Sequence, residues 1–224
     1  MEIRQYSWDV VDSNSWLIVE EENGLLIDVV DSEELFETVQ GLRNLTVILT
    51  HAHFDHIAGL NKLRELKSDT KVICTQKCSE YLDNIYRNMS ATATVFMKFY
   101  KGGDKGEIEI EPFTCDAASV TFIRQTEFRW RGHEIRLEAF CGHSDDGLIA
   151  ILDGKYMFSG DTILPIPTVT KFPCGSTKRF WQEDIPRFKR LDVNMVYPGH
   201  GRSGRLEDMI AVNKMPERYR GKSI

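Results

Sequence analysis

The chain has no apolar run longer than Leu148-Ile149-Ala150-Ile151-Leu152, far short of the roughly 18 residues that cross a bilayer. That excludes a membrane-spanning helix. It also lacks an excess of positive charge: 28 Lys and Arg stand against 34 Asp and Glu, a net charge of −6. Without a basic field to hold phosphates, nucleic acid is not an expected partner. The start, Met1-Glu2-Ile3-Arg4-Gln5-Tyr6, has neither the basic residues nor the apolar stretch of a secretory signal, so a cytoplasmic location is expected. Cysteine is sparse as well. The five are odd in number and form no Cys-x-x-Cys, as suits reduced thiols in a cytosolic protein. There is no repeat, low-complexity tract or long Pro/Gly/Ser linker, so residues 1–224 are expected to form a single domain. The 42% hydrophobic and 10% aromatic content is ample for a core and rules out a disordered chain. Histidine is scarce too, with six in 224 residues, yet three of them fall within residues 51–56.

Hydrophobic periodicity places these residues on elements. Trp16-Leu17-Ile18-Val19 and Leu25-Leu26-Ile27 flank a polar turn and predict a hairpin ending at Asp28. Asp31-Ser32-Glu33-Glu34 has the form of a capping box, followed by Leu35, Phe36 and Val39 on one helical face and Gly41 as the stop. Thr46-Val47-Ile48-Leu49 is the all-apolar pattern of a strand buried on both faces, and it leads directly to His51. A helix near 57–67, a strand at 71–74 and a helix carrying Cys78, Tyr81, Leu82 and Ile85 continue a β/α alternation. Residues 88–118 resist assignment, mixing Val95, Phe96, Met97, Phe99 and Tyr100 with Gly102-Gly103 and an alternating stretch from Glu107 to Glu111. Strands return at 120–124, 128–130, 135–140, 148–152 and 156–158, with turns at Arg131-Gly132 and Asp153-Gly154. A helical region at 177–190, kinked or restarted at Pro186, precedes a strand at 195–197 and a last helix near 205–213. Two β-rich and two α/β stretches in alternation suggest two sheets packed face to face with helices outside.

His51-Ala52-His53-Phe54-Asp55-His56 puts three imidazoles and a carboxylate into one strand-end loop. Neutral imidazole and carboxylate are ligands that borderline cations such as Zn²⁺ prefer, and alternate loop residues can turn toward a common centre. A His-rich surface loop is the bland alternative, but half of the chain's histidines in six residues is poor support for it.

The stretch Thr50-His51-Ala52-His53-Phe54-Asp55-His56-Ile57-Ala58-Gly59 resembles the signature of the metallo-β-lactamase-fold hydrolases. Cys141-Gly142-His143-Ser144, Ser159-Gly160-Asp161-Thr162 and Pro198-Gly199-His200-Gly201 resemble that family's later motifs, in order. The resemblance implies an α/β fold, a four-layer αββα sandwich of two mixed sheets with outer helices. It also implies a dinuclear site, with zinc expected and iron or manganese as alternatives. His51, His53 and His143 would hold one cation and Asp55, His56 and His200 the second, with Asp161 bridging and Asp55 and Asp161 as catalytic carboxylates. Two cations about 3.5–4 Å apart lower the pKa of a shared water and cradle the developing oxyanion, so the expected nucleophile is a bridging hydroxide. Asp28 reads equally as a turn residue or as a carboxylate orienting a ligand histidine through its outer nitrogen.

Other residues carry weaker signals. His133, after Arg131-Gly132, is expected to be a solvated turn residue. Some branches of the family use a cysteine ligand, but Asp161 stands where it would be, so Cys141 and Cys174 read as ordinary small residues. Phe96, Met97, Phe99 and Tyr100 are read as core ahead of a lid, and Arg202 and Arg205 as solvated charges ahead of substrate contacts.

The full second-site set and the Gly-Asp-Thr and Pro-Gly-His-Gly motifs look most like the glyoxalase-II-like branch, whose members hydrolyse thioesters. The 24 residues after His200 are too few for that branch's glutathione-binding domain, and Ser144-Asp145-Asp146-Gly147 departs from its usual pattern. A small acyl substrate, thioester or lactone, is therefore expected. Two rivals are a mononuclear iron oxidoreductase of the sulfur dioxygenase type, with His51, His143 and Asp161 on the iron, and a phosphodiesterase or nuclease of the same fold.

Overall fold

The computed structural model describes residues 1–100 and 108–214. Its chain divides into two compact units, Met1–Thr121 and a second from Phe122 onward. Each contains a mixed sheet with helices, which is the expected α/β class. Among the described residues no helix is long and apolar enough to cross a membrane.

The first unit contains β1 (Glu2–Trp8), β2 (Ser13–Glu20), β3 (Asn23–Ile27), α1 (Glu33–Gln40), β4 (Asn44–Ile48), α2 (Phe54–Ile57) and α3 (Leu60–Leu66). These are followed by β5 (Lys71–Thr75), α4 (Gln76–Leu82), a 3₁₀ turn at Ser90–Thr92 and α5 (Ala93–Tyr100), with β6 (Val120–Phe122) at the unit's boundary. The sheet runs β1-β2-β3-β4-β5-β6. The predicted hairpin is the antiparallel β2/β3 pair, and parallel β4 and β5 lie beside β3. All five residues of β3 are buried. Leu17, Leu26, Val47, Leu49 and Val72 join α1's Leu35, Phe36 and Val39 in one core. Each such side chain contributes roughly 1.5–3 kcal/mol of burial.

The cap of α1 lies one residue later than the sequence suggested. Ser32 is the N-cap and its hydroxyl accepts from the Leu35 N–H. The third helical position therefore carries leucine, and only the forward half of a capping box forms.

The described parts of 88–118 are fastened down. Asn88 Nδ2 donates to the Phe113 carbonyl, Ser90 Oγ exchanges hydrogen bonds with Phe113, and Thr94 Oγ1 does the same with Ile110. Asn61 and Arg64 of α3 donate to the carbonyls of Thr114, Asp116 and Ala117. On α5, Met97 is buried while Val95 is exposed. Gly102-Gly103 and Glu107 lie outside the described residues, as do the side chains of Phe99 and Tyr100.

The second unit contains β7 (Gln125–Trp130), β8 (His133–Ala139), β9 (Leu148–Leu152), β10 (Tyr156–Gly160), α6 (Thr177–Arg179), a π-helical turn at Phe180–Asp184, α7 (Ile185–Phe188), β11 (Met195–Pro198) and α8 (Leu206–Val212). Its sheet runs β11-β10-β9-β8-β7, with only β10 and β11 parallel. All five residues of β9 are buried, the pattern of a central strand covered on both faces. The turns at Arg131-Gly132 and Asp153-Gly154 have positive φ at both positions, the geometry a tight hairpin needs. The predicted break near Pro186 takes the form of the π turn just before it. Proline lacks the N–H that would continue the ladder, and it sits in the first turn of α7, where none is required.

His133 departs from expectation. It opens β8, its Nδ1 lies 2.6 Å from Asp153 Oδ2, and its ring stacks on Trp130. Burial would raise the Asp153 carboxyl, but hydrogen bonds from His133 and the Glu134 N–H outweigh that and hold it low.

Asp184, at the end of the π turn, is only 2% exposed. Burial pushes its carboxyl up to about 7, against the opposing pull of the Gly142 and Cys141 N–H groups and Arg187, while Glu183 adds to the rise. Between the ordinary value of about 4 and about 7, the folded chain keeps a proton that the unfolded chain has released. Stability therefore falls as pH rises through that window and levels off above it. Asp184→Asn retains an acceptor for the Gly142 N–H, 2.7 Å away in the wild type, but cannot ionise. Denaturant titrations of both metal-free proteins should show wild-type stability losing a few kcal/mol relative to the variant across the window. Parallel pH curves would refute this.

Candidate metal centre

In the first unit, β4 ends at Ile48 and releases Leu49-Thr50-His51 into a loop capped by α2. His51, His53, Asp55 and His56 are all buried. The His51 ring centroid lies 4.4 Å from that of His53 and 4.3 Å from that of His56, and His56 Nε2 is 3.6 Å from Asp55 Oδ2. The loop is held from outside. The Ser13 hydroxyl donates to the Asp55 carbonyl, the Val29 N–H to the His56 carbonyl, and the Phe54 N–H to the Asn88 carbonyl. Gly59 is needed because a Cβ there would stand 2.5 Å from the Val30 carbonyl oxygen.

Asp28 organises this half. Its backbone has φ 58, a region that Asp and Asn tolerate better than most residues. Its carboxylate accepts from the Thr50 N–H at 2.7 Å, from the Thr50 hydroxyl at 2.7 Å and from His56 Nδ1 at 2.9 Å. The tautomers follow. A carboxylate only accepts, so His56 carries a proton on Nδ1, and the neutral ring has its lone pair on Nε2. The single Thr50 hydroxyl proton is committed to Asp28, so at the 3.1 Å contact with His51 the threonine oxygen accepts from Nδ1–H. His51 Nε2 is then also a lone-pair nitrogen.

In the second unit, His143 lies between β8 and β9, Asp161 directly follows β10, and His200 follows β11. His143 and Asp161 are buried, and His200 is half-buried. Asp161 Oδ2 lies 3.7 Å from His143 Nε2 and 3.4 Å from His200 Nε2. His143 Nδ1 donates to the Val169 carbonyl at 2.7 Å, so the neutral ring has its lone pair on Nε2. Phe172 packs edge-on against the His143 ring. The loop's approach demands Gly142, where a Cβ would stand 2.5 Å from Asp184 Oδ2 and 2.7 Å from the Phe180 Cα.

These donors suit a divalent metal. Tetrahedral bonds of about 2.0–2.1 Å put ligand atoms roughly 3.3 Å apart, close to the 3.4–3.7 Å spacings around Asp161. Zinc, iron and manganese all accept such imidazole and carboxylate sets. The thiols are poor competitors: burial pushes Cys141 up to about 11 and Cys115 up to about 12, and Cys174 is buried.

Sequence reasoning singled out His51, His53, Asp55 and His56 on the first unit's loop, His143, Asp161 and His200 at the strand ends of the second, and the Asp28 carboxylate. It did not find the roles of Thr50, Val169 or Asp184. Thr50 sits inside the quoted motif and has a hydroxyl to offer. Val169 acts through its main chain, which any residue supplies.

The sequence profile of the metallo-beta-lactamase superfamily matches residues 8–200. A relative named "Probable metallo-hydrolase", from Streptococcus pyogenes serotype M6, is 22% identical over 203 residues, covering 87% of this chain and 81% of its own. One named hydroxyacylglutathione hydrolase, from Glaesserella parasuis serovar 5, is 20% identical over 192 residues, covering 84% and 66% respectively. Among solved structures, a B3 metallo-beta-lactamase superposes with a TM-score of 0.76 at 20% identity, covering 95% of this chain and 98% of that one. At that identity the likeness bears on the fold, and it agrees with the architecture expected from the motifs.

Proposed function

The chain belongs to the metallo-beta-lactamase superfamily, and on that premise we propose that it works as a single catalytic domain hydrolysing a small acyl substrate with two divalent cations. In this reading His51, His53 and His143 hold the first cation, Asp55, His56 and His200 the second, and Asp161 serves both. Zinc is the expected metal, with iron or manganese as alternatives.

One observation carries the reading. In three of the five histidines, His51, His56 and His143, Nδ1 donates inward, to Thr50, Asp28 and the Val169 carbonyl. This leaves Nε2 as the donor in each, the arrangement by which proteins orient metal-bound imidazoles. When bound, the cations would supply acidification of a water toward neutrality and stabilisation of negative charge on the acyl oxygen. Asp28, Thr50 and Val169 hold the imidazoles in one tautomer and direction. Asp55 and Asp161 are the catalytic carboxylates, the anionic donors that offset cation charge at the reacting centre. No serine or cysteine nucleophile is then required, in keeping with the raised Cys141 and Cys115 thiols.

A thioester leads among acyl substrates because one relative is named for that chemistry, and a lactone follows. The net charge of −6 supports a small molecule in preference to nucleic acid or a membrane surface. The test is elemental analysis of the isolated protein followed by assay on thioesters, lactones and phosphodiesters with and without chelator. Two metals per chain and chelator-sensitive acyl hydrolysis are expected. One iron per chain with oxygen consumption, or phosphodiester cleavage alone, would overturn the proposal.

A further inference from the structure

We propose that Asn213, at the carboxyl end of α8, is a positioning residue for His143, acting through the loop at 164–169. The inference rests on His143 being a metal ligand, as proposed above. The partner of His143 Nδ1 is a main-chain carbonyl, that of Val169, at 2.7 Å. A carbonyl orients a ring only as well as its own peptide is held. Val169 sits in a segment without regular secondary structure, and the residue is 49% exposed. Its own packing therefore does little to fix it.

The fixing comes from Asn213, which is 4% exposed. Its Oδ1 accepts from the Thr168 N–H at 2.7 Å, one residue before the critical carbonyl. Its Nδ2 donates to the Leu164 carbonyl at 2.9 Å and reaches the Ile166 carbonyl at 3.3 Å. The same amide nitrogen donates to the Met209 carbonyl at 2.9 Å, which ties the clamp to the last turn of α8. The Thr168 hydroxyl closes the loop on itself by accepting from the Leu164 N–H. A primary amide is the side chain suited to this task, because it accepts from one peptide and donates to others without introducing charge. Downstream, the Ser176 N–H donates to the Gly142 carbonyl. Gly175 passes so close that a Cβ there would lie 2.5 Å from the His143 carbonyl. The segment is thus anchored on both sides of Val169: Asn213 holds the amino side, and on the carboxyl side the Thr170 hydroxyl meets that of Thr177 at 2.9 Å.

Removing the amide frees the Val169 peptide to shift and relaxes the His143 ring. Partners of ligand histidines typically change metal affinity 10–100-fold, and one step further out about tenfold is expected. The test uses the full chain, loaded with cobalt(II) after chelation, comparing wild type, Asn213→Ala, Asn213→Asp and Met209→Ala. Asn213→Asp keeps the acceptor for Thr168 but loses every donation, so it decides the matter if the alanine variant does not fold. Met209 is a buried residue of α8 and controls for simple loss of stability. The expected result is a roughly tenfold weaker cobalt affinity and an altered visible spectrum in both Asn213 variants. Met209→Ala should lower only the melting midpoint of the metal-free protein. Wild-type affinity and spectrum in the Asn213 variants, or equal losses in Met209→Ala, would overturn the inference. A wild-type chain that binds no cobalt overturns the metal reading and this one with it.

Discussion

Asp161→Ala is expected to lower kcat/KM for acyl hydrolysis by roughly 10³-fold or more, the rate equivalent of the several kcal/mol that metal-ion catalysis supplies. Bound metal should fall below two per chain. The position leaves little scope for compensation. Asp161 directly follows β10, after Gly160 with φ 47. The turn beyond it is closed by the Thr162 N–H and hydroxyl, both donating to the Ser159 carbonyl. The carboxylate is thus delivered by a rigid strand end to a point 3.4 Å from one imidazole nitrogen and 3.7 Å from another. Alanine leaves both imidazoles in place and removes the negative charge they share. Because a buried carboxylate is costly to keep without its cation, the metal-free variant should unfold at the same denaturant concentration as wild type or a higher one. Kinetics, metal content and an unfolding curve on one preparation therefore separate a lost site from a lost fold. Full turnover by this variant would refute the two-cation reading.

The second large effect is expected at Asp28. Asp28→Ala strips an acceptor from the Thr50 N–H, the Thr50 hydroxyl and His56 Nδ1 together, all in the interior. Each stranded donor costs about 1–3 kcal/mol, and alanine at φ 58 adds backbone strain of order 1 kcal/mol. A loss of several kcal/mol is enough to threaten a domain of ordinary stability. Metal affinity should fall 10–100-fold as His56 loses its orienting partner. Asp28→Asn separates the two effects, since asparagine also tolerates positive φ and keeps one acceptor oxygen. Its stability should recover in part, while its metal affinity stays low because an amide N–H would face a donor. Chelator competition and denaturant midpoints read these outcomes independently. Wild-type metal affinity in Asp28→Ala would show that His56 needs no such partner.

Much of this was legible in the sequence because the chemistry is local. The four donor motifs follow β4, β8, β10 and β11, so strand signal and ligand signal occur together, and β9 announces itself by five consecutive apolar residues. The capping error at Ser32 arose because two adjacent residues can both cap, and tertiary context chose between them. β1 was missed for a different reason. It is an edge strand in which only Tyr6 is buried, so no alternation reaches the sequence. His133 was read from its neighbours in the chain, whereas its environment comes from Asp153, twenty positions away. Asn213 and Val169 illustrate the limit of residue-level reading. Their contribution is a hydrogen-bond pattern through peptide groups, and nothing in their identities distinguishes them from ordinary loop residues.

The two hairpin turns of the second unit, Arg131-Gly132 and Asp153-Gly154, join β7 to β8 and β9 to β10 at the ends of β8 and β10 opposite to those that lead to His143 and Asp161. Five residues of β10 amount to about 17 Å of strand. That separation makes the turns a place to attach a reporter. Lys155 is exposed beside one of them, while four native cysteines are buried and the fifth, Cys141, has a thiol raised to about 11. A Lys155→Cys chain would therefore react with a thiol-directed fluorophore at the introduced position ahead of its own cysteines. It would carry the dye a strand's length from Asp161, so that labelling displaces no group at that strand end.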